Sequence, residues 1–241
     1  QGKSFDIVYG GGEANVAVGL SQLGVKSAFV SKLPDNELGH SANQMLNRYG
    51  VETDQMVFGG GRVGIYFLEK GYSIRPSKVI YDRSGSSFAE SKAEEYDLEA
   101  AFAGADWFHI SGITPALNEG IYQLTKQSLA AAKRFGLTTS CDLNYRSSLW
   151  TFENARKKMT ELMQDVDVCI GVEPLQLLDA EGNEIKDRLP AKPGPDDYKE
   201  IMKEMHRQFD LKYIAMTFRN QLSVNHHQLK ALLSDGSDFY F

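Results

Sequence analysis

Length, composition and charge limit what this chain can be. Its 241 residues are enough for one large α/β domain, and its 42% hydrophobic and 24% charged residues are typical of a globular protein. The net charge of −6 argues against nucleic acid or an anionic membrane as a partner, because both attract basic surfaces. The sequence contains no apolar run of membrane-spanning length and no basic-then-apolar leader, so no membrane partner is expected.

The two cysteines indicate a reducing compartment. Cys141 and Cys169 each lie within a short apolar run that predicts a buried strand. Cysteines in such positions favour reduced core residues over a disulfide, and the simplest location for the protein is the cytoplasm.

From Gly12 onward, short apolar strands alternate with longer segments of helical periodicity. The spacing predicts helices over 14–23, 38–49, 118–135, 152–165 and 196–209. Apolar runs predict strands over 27–33, 107–110, 138–142, 168–171 and 213–217. This alternation indicates a parallel sheet covered by helices on both faces. Residues 222–241 are predicted to form one or two antiparallel strands around a turn at 234–236.

Two strand-like segments break the alternation. Residues 62–69 and 78–83 have no helix between them, so they should pair antiparallel, and residues 5–9 are expected to join them. The resulting small sheet, with segments at about 3–10 and 62–84, should project from the core as a lid.

A run of three glycines leads directly into the first predicted helix. Glycine lets the backbone approach a ligand closely, and the start of a helix offers unpaired amides. The run Gly10-Gly11-Gly12 is not a G-x-G-x-x-G fingerprint, because Asn15 stands where the third glycine should be, and the phosphate loop G-x-x-x-x-G-K-[ST] does not occur. The Asn15 amide suits a polyhydroxylated ligand, although the glycine run alone is equally typical of a tight turn.

Several motifs resemble those of the PfkB (ribokinase-like) carbohydrate kinases. Residues 10–17 with Leu23-Gly24 are similar to the N-terminal signature of that family, and residues 35–39 and 49–51 are similar to its next elements. Within the family, the sequence most resembles 2-keto-3-deoxygluconate kinases. Four stretches carry this closer resemblance: 64–66, 80–83, 109–117 and 142–146.

The resemblance implies a fold, an activity and a set of ligands. The implied fold is a three-layer α/β/α sandwich of the ribokinase type with a small antiparallel β-sheet lid, in which residues 1–241 form a single domain that is incomplete at both ends. The implied activity is ATP- and Mg²⁺-dependent phosphorylation of a terminal hydroxyl of a 2-keto-3-deoxy sugar acid. Lids of this kind in the family often clasp a second subunit, so the resemblance also implies a homodimer formed through this sheet.

The family's substrate contacts can be carried over to matching positions. Gly11, Gly12 and Asn15 should hold sugar hydroxyls. The residues expected around the keto-acid end are Tyr66, Tyr81, Arg83 and Arg146. The two arginines are chemically suited to the acid end, because a guanidinium group binds a carboxylate through two parallel charge-assisted hydrogen bonds. Without the resemblance, Tyr66 and Tyr81 would be interpreted as ordinary aromatic residues of strands. Arg83 would be interpreted as a solvated charge on an edge strand, and Arg146 as a member of a surface ion pair.

The chain departs from the family pattern on the phosphate side. The catalytic aspartate of the family lies in a Gly-x-Gly-Asp motif, which does not occur here, so no catalytic residue is assigned and the base is expected beyond Phe241. The family's Asn-x-x-Glu element is altered at 171–174, where valine replaces asparagine. The nucleotide-side candidates are Asn144, Thr217 and Arg219. No histidine or cysteine has the spacing of a metal ligand.

Three alternatives remain open at this point. The first is a kinase of a neutral sugar, of the fructokinase or ribokinase type. The second is a non-catalytic sugar-binding protein on the same scaffold, and the third is a dinucleotide-binding oxidoreductase. Asn15 and the lid insertion count against the oxidoreductase.

Overall fold

The computed structural model describes residues 4–72, 75–223 and 226–241, which form two compact units. The first unit comprises residues 1–66 and 81–101, and the second comprises residues 67–80 and 102–241. Residue 3 of the first expected lid segment and residues 73–74 of the second lie outside the described residues.

The first unit begins with two helices and short strands. Its elements, in chain order, are α1 (Gly12–Gln22), β1 (Lys32–Leu33), α2 (Glu37–Arg48) and β2 (Val57–Phe58). Strands β1 and β2 pair in parallel, and an isolated parallel bridge joins Ala28 to Glu52. The predicted strand over 27–33 is therefore reduced to one bridge and two paired residues. Asn36 begins α2 by accepting hydrogen bonds from the amides of Leu38 and Gly39.

The expected lid is a two-stranded sheet. It is formed by β3 (Ile65–Glu69) and β4 (Lys78–Asp82), which we call the lid hairpin. A 3₁₀ turn (Ala93–Glu95) and α3 (Leu98–Phe102) follow it in the chain. Residues 4–11 form no strand, in contrast to the third lid strand expected at 5–9. Phe5, Ile7 and Val8 are 76–84% exposed, so these apolar residues make little packing contact that would hold them in a sheet.

The second unit is built on a six-stranded mixed sheet. Its elements are β5 (Trp107–Ser111), α4 (Glu119–Arg134), β6 (Thr138–Asp142), α5 (Phe152–Leu162), β7 (Val168–Ile170), α6 (Lys199–Phe209), β8 (Tyr213–Ser223), β9 (His226–Ser234) and β10 (Phe239–Tyr240). Strands β5 to β8 pair in parallel, whereas β8, β9 and β10 pair antiparallel. The parallel part of the sheet is formed by strands that the alternation predicted, and the antiparallel strands after β8 agree with those predicted over 222–241, so the sheet as a whole is mixed.

Side-chain caps and apolar stripes explain why the helices form where they do. Asn118 accepts a hydrogen bond from the amide of Ile121 and begins α4, and Thr151 does the same for α5. Helix α6 buries Met202 and Met205 completely, as its predicted spacing requires, and a 3₁₀ turn (Pro195–Tyr198) precedes it. Each fully buried side chain of this size contributes about 1.5–3 kcal/mol.

The two cysteines lie opposite each other in this sheet. Cys141 on β6 and Cys169 on β7 are register partners, and both are fully buried. Both are free thiols, as the sequence predicted. Burial raises the pKa of the Cys169 thiol, which keeps it protonated and unreactive.

Candidate active site

The hydroxyl of Tyr66 lies close to the glycines that precede helix α1. Gly11 is the N-cap of α1, and its carbonyl accepts a hydrogen bond from the Asn15 amide at 2.9 Å. A Cβ atom on Gly10 would lie 3.2 Å from the hydroxyl of Tyr66 and 3.5 Å from Oδ1 of Asn15. Gly10 therefore allows the tyrosine hydroxyl and the asparagine amide to approach the backbone at the same point. Nothing in the sequence distinguishes Gly10 from its two glycine neighbours.

An aromatic pair and an arginine extend this group of residues. The rings of Tyr66 and Tyr81 are 6.2 Å apart between centroids, and Cζ of Arg83 lies 4.1 Å from the centroid of the Tyr81 ring. The guanidinium thus stacks on the tyrosine as a cation–π contact. We call the group Gly10, Asn15, Tyr66, Tyr81 and Arg83 the Tyr–Arg cluster. Its members all belong to the first unit.

Arg83 is a cation without an acidic partner among the described residues. It is half-buried, and the ion pairs found in the described chain do not include it. Its neighbour Asp82 is bound instead by Arg62, which holds the pKa of the Asp82 carboxyl below its ordinary value. Consequently the Arg83 guanidinium keeps its hydrogen-bond donors available for an anion.

The end of β6 positions the second predicted arginine motif. The amide of Gly112 donates to the carbonyl of Asp142 at 2.7 Å, and a Cβ on Gly112 would lie 2.1 Å from the carbonyl oxygen of Leu143. Only glycine fits there, which explains the Ser-Gly step of the 109–117 motif. Oδ1 of Asp142 accepts from the amide of Asn144, whose φ of 34° is in the left-handed region that asparagine tolerates.

Arg146 follows this turn and is exposed. Within the described part of the chain, no carboxylate lies within ion-pair distance of it. The surface ion pair that its residue type suggests is therefore not formed with the described residues. Arg146 belongs to the second unit, as do Asn144, Thr217 and Arg219.

The nucleotide-side candidates do not form one group. Thr217 lies in the β8–β9 ladder opposite Ala231, and Arg219 donates from Nε to Nδ1 of His227 at 3.2 Å. The donors of Arg219 are thus partly used by a neighbouring strand. Among the residues that the structure describes, no group of three or more His, Cys, Asp or Glu side chains could hold a metal ion.

A buried lysine holds the segment that replaces the family's Asn-x-x-Glu element. Nζ of Lys186 donates to Oε2 of Glu173 at 2.6 Å and to the carbonyl of Leu175, and its side chain is only 3% exposed. This contact could not be predicted from the sequence, because Lys186 lies in a 3₁₀ turn (Ile185–Arg188) 13 residues further along the chain. The pair fixes the position of the Glu173 carboxylate after β7.

Comparison with known proteins gives a consistent set of similarities. A family model described as pfkB family carbohydrate kinase matches residues 1–193. A 2-dehydro-3-deoxygalactonokinase of Haloferax volcanii is 39% identical over 171 residues, which cover 71% of this chain and 54% of that protein. A probable fructokinase-2 of Arabidopsis thaliana is 31% identical over 180 residues, covering 74% of this chain and 54% of that protein.

A solved structure extends the similarity to the whole chain. The crystal structure of a 2-dehydro-3-deoxygluconokinase from Thermotoga maritima is 41% identical with a TM-score of 0.89, and the match covers 100% of this chain and 71% of that one. The chain spans about half the length of the curated relatives that it matches.

No helix among the described residues is both long and apolar enough to cross a membrane.

Proposed function

We propose that this chain, which belongs to the pfkB family of carbohydrate kinases, carries the sugar-acid-binding part of a kinase that phosphorylates 2-keto-3-deoxy sugar acids. The observation that carries the proposal is the Tyr–Arg cluster. In it, a guanidinium without an acidic partner among the described residues stacks on the Tyr81 ring, which neighbours the Tyr66 ring, and the Tyr66 hydroxyl and the Asn15 amide lie close to Gly10. The similarity to a 2-dehydro-3-deoxygluconokinase and a 2-dehydro-3-deoxygalactonokinase supports this substrate class. The prefixes 2-dehydro and 2-keto denote the same group, so these two proteins are named for two 2-keto-3-deoxy sugar acids that differ in configuration.

Family membership and the fold are the findings that support the proposal most directly. The α/β fold predicted from the sequence is confirmed by the TM-score of 0.89 to a kinase of this family, and the small antiparallel lid hairpin is present. The resemblance first inferred from short motifs is confirmed by the family model. These findings argue against the oxidoreductase alternative.

Each residue of the cluster has a defined proposed task. Arg83 binds the carboxylate through parallel charge-assisted hydrogen bonds, which a neutral sugar could not use. Tyr66 and Tyr81 supply hydroxyl donors on rigid apolar bodies. Asn15, with the backbone amides of Gly11 and Gly12, orients sugar hydroxyls. Arg146 is assigned to the carboxylate through its motif.

The phosphate side of the reaction depends on parts that the described residues do not provide. ATP would supply the phosphoryl group, with Mg²⁺ neutralising its developing charge. Arg219 uses part of its donors on His227, and no acidic cluster that could hold the metal is present among the described residues. No catalytic step is therefore assigned to Asn144, Thr217 or Arg219. Their nucleotide-side roles, together with the use of ATP and Mg²⁺, are proposed from the family alone.

The lid hairpin is the surface for which we propose a second copy of the protein as partner. Its large apolar side chains are 40–55% exposed: Ile65, Tyr66, Phe67, Leu68, Val79, Ile80 and Tyr81. A two-stranded sheet with apolar residues on both faces is stabilised by being covered. Analytical ultracentrifugation tests the dimer, and a monomer at all micromolar concentrations would contradict it.

The cytoplasmic location stays a prediction of the sequence.

Turnover by the protein in its full natural length tests the proposal. The substrates are 2-keto-3-deoxygluconate, 2-keto-3-deoxygalactonate, fructose and ribose, each with ATP and Mg²⁺. We expect phosphorylation of one or both acids. Turnover of a neutral sugar without turnover of either acid would contradict the substrate class and favour the alternative that the 31% identity to a fructokinase supports. No turnover, combined with tight binding of an acid, would favour the non-catalytic alternative.

A further inference from the structure

A second arginine binds the chain on both sides of Arg83. Nη1 and Nη2 of Arg62 donate to the two carboxylate oxygens of Asp82 at 2.9 and 2.5 Å. The same guanidinium donates to the carbonyl of Asp82 at 3.2 Å and to the carbonyl of Ser84 at 3.3 Å. One side chain thus holds the residue before Arg83 and the residue after it.

Arg62 is itself anchored through its backbone. Its carbonyl accepts hydrogen bonds from the amide of Ser87 at 2.8 Å and from the Ser87 hydroxyl at 3.1 Å, and Ser87 is buried. The carbonyl of Arg83 accepts from the amide of Ser86 at 3.1 Å, which closes a turn through Gly85 at a φ of 66°. These bonds leave the backbone of Arg83 little freedom.

The ion pair also determines which partner Arg83 has. Asp82 is the acidic residue next to Arg83 in the sequence, and both of its carboxylate oxygens are bound by Arg62. If Arg62 were absent, this carboxylate would be available to pair with Arg83 and would occupy the donors that a substrate carboxylate needs. Arg62 therefore affects both the direction and the availability of the Arg83 guanidinium.

The lid hairpin contains a second ion pair that serves as a control. Nη1 of Arg75 donates to Oε1 of Glu69 at 2.6 Å, with both side chains about 60% exposed. This pair joins the end of β3 to the connection that leads to β4, and neither residue contacts Asp82, Arg83 or Ser84 through a hydrogen bond found in the described residues. It matches the Arg62 pair in chemistry but not in position.

From these contacts we infer that Arg62 is a positioning residue for sugar-acid recognition: it fixes the chain on both sides of Arg83 and neutralises Asp82, so that Arg83 presents an unpaired guanidinium to the substrate carboxylate. This inference rests on the proposed function for its substrate. Its structural part, the ordering of Arg83 by Arg62, does not depend on that function.

Kinetics on five variants of the full-length protein test the recognition part. In Arg62→Ala, we expect KM for 2-keto-3-deoxygluconate to rise about tenfold with kcat within about twofold of the wild type. Arg62→Lys should give a smaller rise, because the ammonium keeps a positive charge for Asp82, but not full recovery, because it cannot reproduce the bidentate contact. Arg75→Ala should leave both constants unchanged. The double variant Arg62→Ala/Arg83→Ala should be no worse than Arg83→Ala alone, since Arg62 acts through Arg83. Additive losses, or equal effects of Arg62→Ala and Arg75→Ala, would overturn the inference.

A measurement without substrate separates this inference from the proposed function. The ¹⁵N relaxation of the Arg83 Nε–Hε group, assigned with Arg83→Ala, reports how ordered that side chain is. Its order parameter should fall in Arg62→Ala and in Asp82→Asn, and should stay unchanged in Arg75→Ala. Failure of the wild type to use sugar acids, with this fall observed, would remove the proposed substrate and leave the positioning role. An unchanged order parameter in folded Arg62→Ala and Asp82→Asn proteins would overturn the positioning role whatever the substrate is.

Discussion

Replacement of Arg83 by alanine should change substrate selection more than it changes catalysis. The guanidinium stacks 4.1 Å from the Tyr81 ring centroid, and no carboxylate pairs with it among the described residues. A charge-assisted, bidentate hydrogen bond to a carboxylate contributes about 1.5–3 kcal/mol. Its loss corresponds to a decrease of about 10- to 150-fold in affinity for a sugar acid.

The assay compares an acid with its matched neutral sugar. 3-Deoxyfructose carries a hydroxymethyl group where 2-keto-3-deoxygluconate carries its carboxylate, and the two are otherwise alike. For Arg83→Ala we expect the loss in kcat/KM to fall on the acid, with the value for 3-deoxyfructose within about twofold of the wild type. Arg83→Lys should recover part of the loss, because it keeps the charge without the planar fork.

Two results would refute this reasoning. Equal losses for the acid and the neutral sugar would mean that Arg83 supports the fold of the lid hairpin and does not select the carboxylate. No loss for either substrate would mean that the Arg83 guanidinium is not at the binding site. Thermal melting of each variant separates these cases from simple unfolding.

Three further changes test other parts of the account. Arg146→Ala should weaken use of the sugar acid by about tenfold or more and spare 3-deoxyfructose, as measured by kcat/KM. Gly10→Ala should raise KM for both sugars several-fold, because its Cβ would lie 3.2 Å from the Tyr66 hydroxyl and force it to move. Asp167→Asn should lower the free energy of unfolding by about 2 kcal/mol in urea titrations at pH 7, because it weakens hydrogen bonds to a side chain that is 7% exposed.

The pH dependence of stability checks the Asp167 prediction independently. Burial alone would raise the pKa of Asp167, but hydrogen bonds from Lys133, Thr139 and Lys212 outweigh it and lower the pKa from 3.8 to about 2. Because this pKa is depressed, the stabilisation is fully present above about pH 4 and is lost as the pH falls towards 2. The difference in stability between the wild type and Asp167→Asn should therefore shrink as the pH falls from about 4 to 2 and disappear below about pH 2. A constant difference from pH 7 to pH 2 would contradict the assignment.

Matched controls make the other two changes interpretable. Gly19→Ala lies in the same helix as the glycine-rich entry and places its Cβ in open space, so it should leave KM unchanged. A rise in KM for Gly19→Ala equal to that for Gly10→Ala would point to a general effect on α1. For Arg146, an equal loss with 3-deoxyfructose would remove the carboxylate role.

The elements that could be predicted were those whose signals are local. The helices predicted over 118–135 and 152–165 begin where expected, because the side chains of Asn118 and Thr151 cap the amides that follow them in the chain. The apolar stripe of α6 likewise follows from spacing alone. Strand β8, in contrast, extends to Ser223 where the apolar run predicted an end at 217. Its outer part is polar and is held by antiparallel pairing with β9, a partner that no local pattern identifies.

The residues proposed to contact the substrate could be predicted from the sequence, but the residue that positions them could not. Tyr66, Tyr81 and Arg83 were identified because their motif resembles that of a known family, and the structure brings the three together. Arg62 was not identified, because it acts through carbonyl oxygens and a carboxylate about 20 residues away. Backbone acceptors leave no trace in a sequence, so contacts of this kind emerge only from coordinates.

The ratio of kcat/KM for 2-keto-3-deoxygluconate to that for 3-deoxyfructose, measured on the full-length wild-type protein with ATP and Mg²⁺, tests the central claim most directly. If an unpaired arginine selects the carboxylate, the ratio should exceed about 10 and should fall towards 1 in Arg83→Ala. A ratio near 1 in the wild type would contradict the account, because the protein would then be a sugar kinase that does not recognise the acid group.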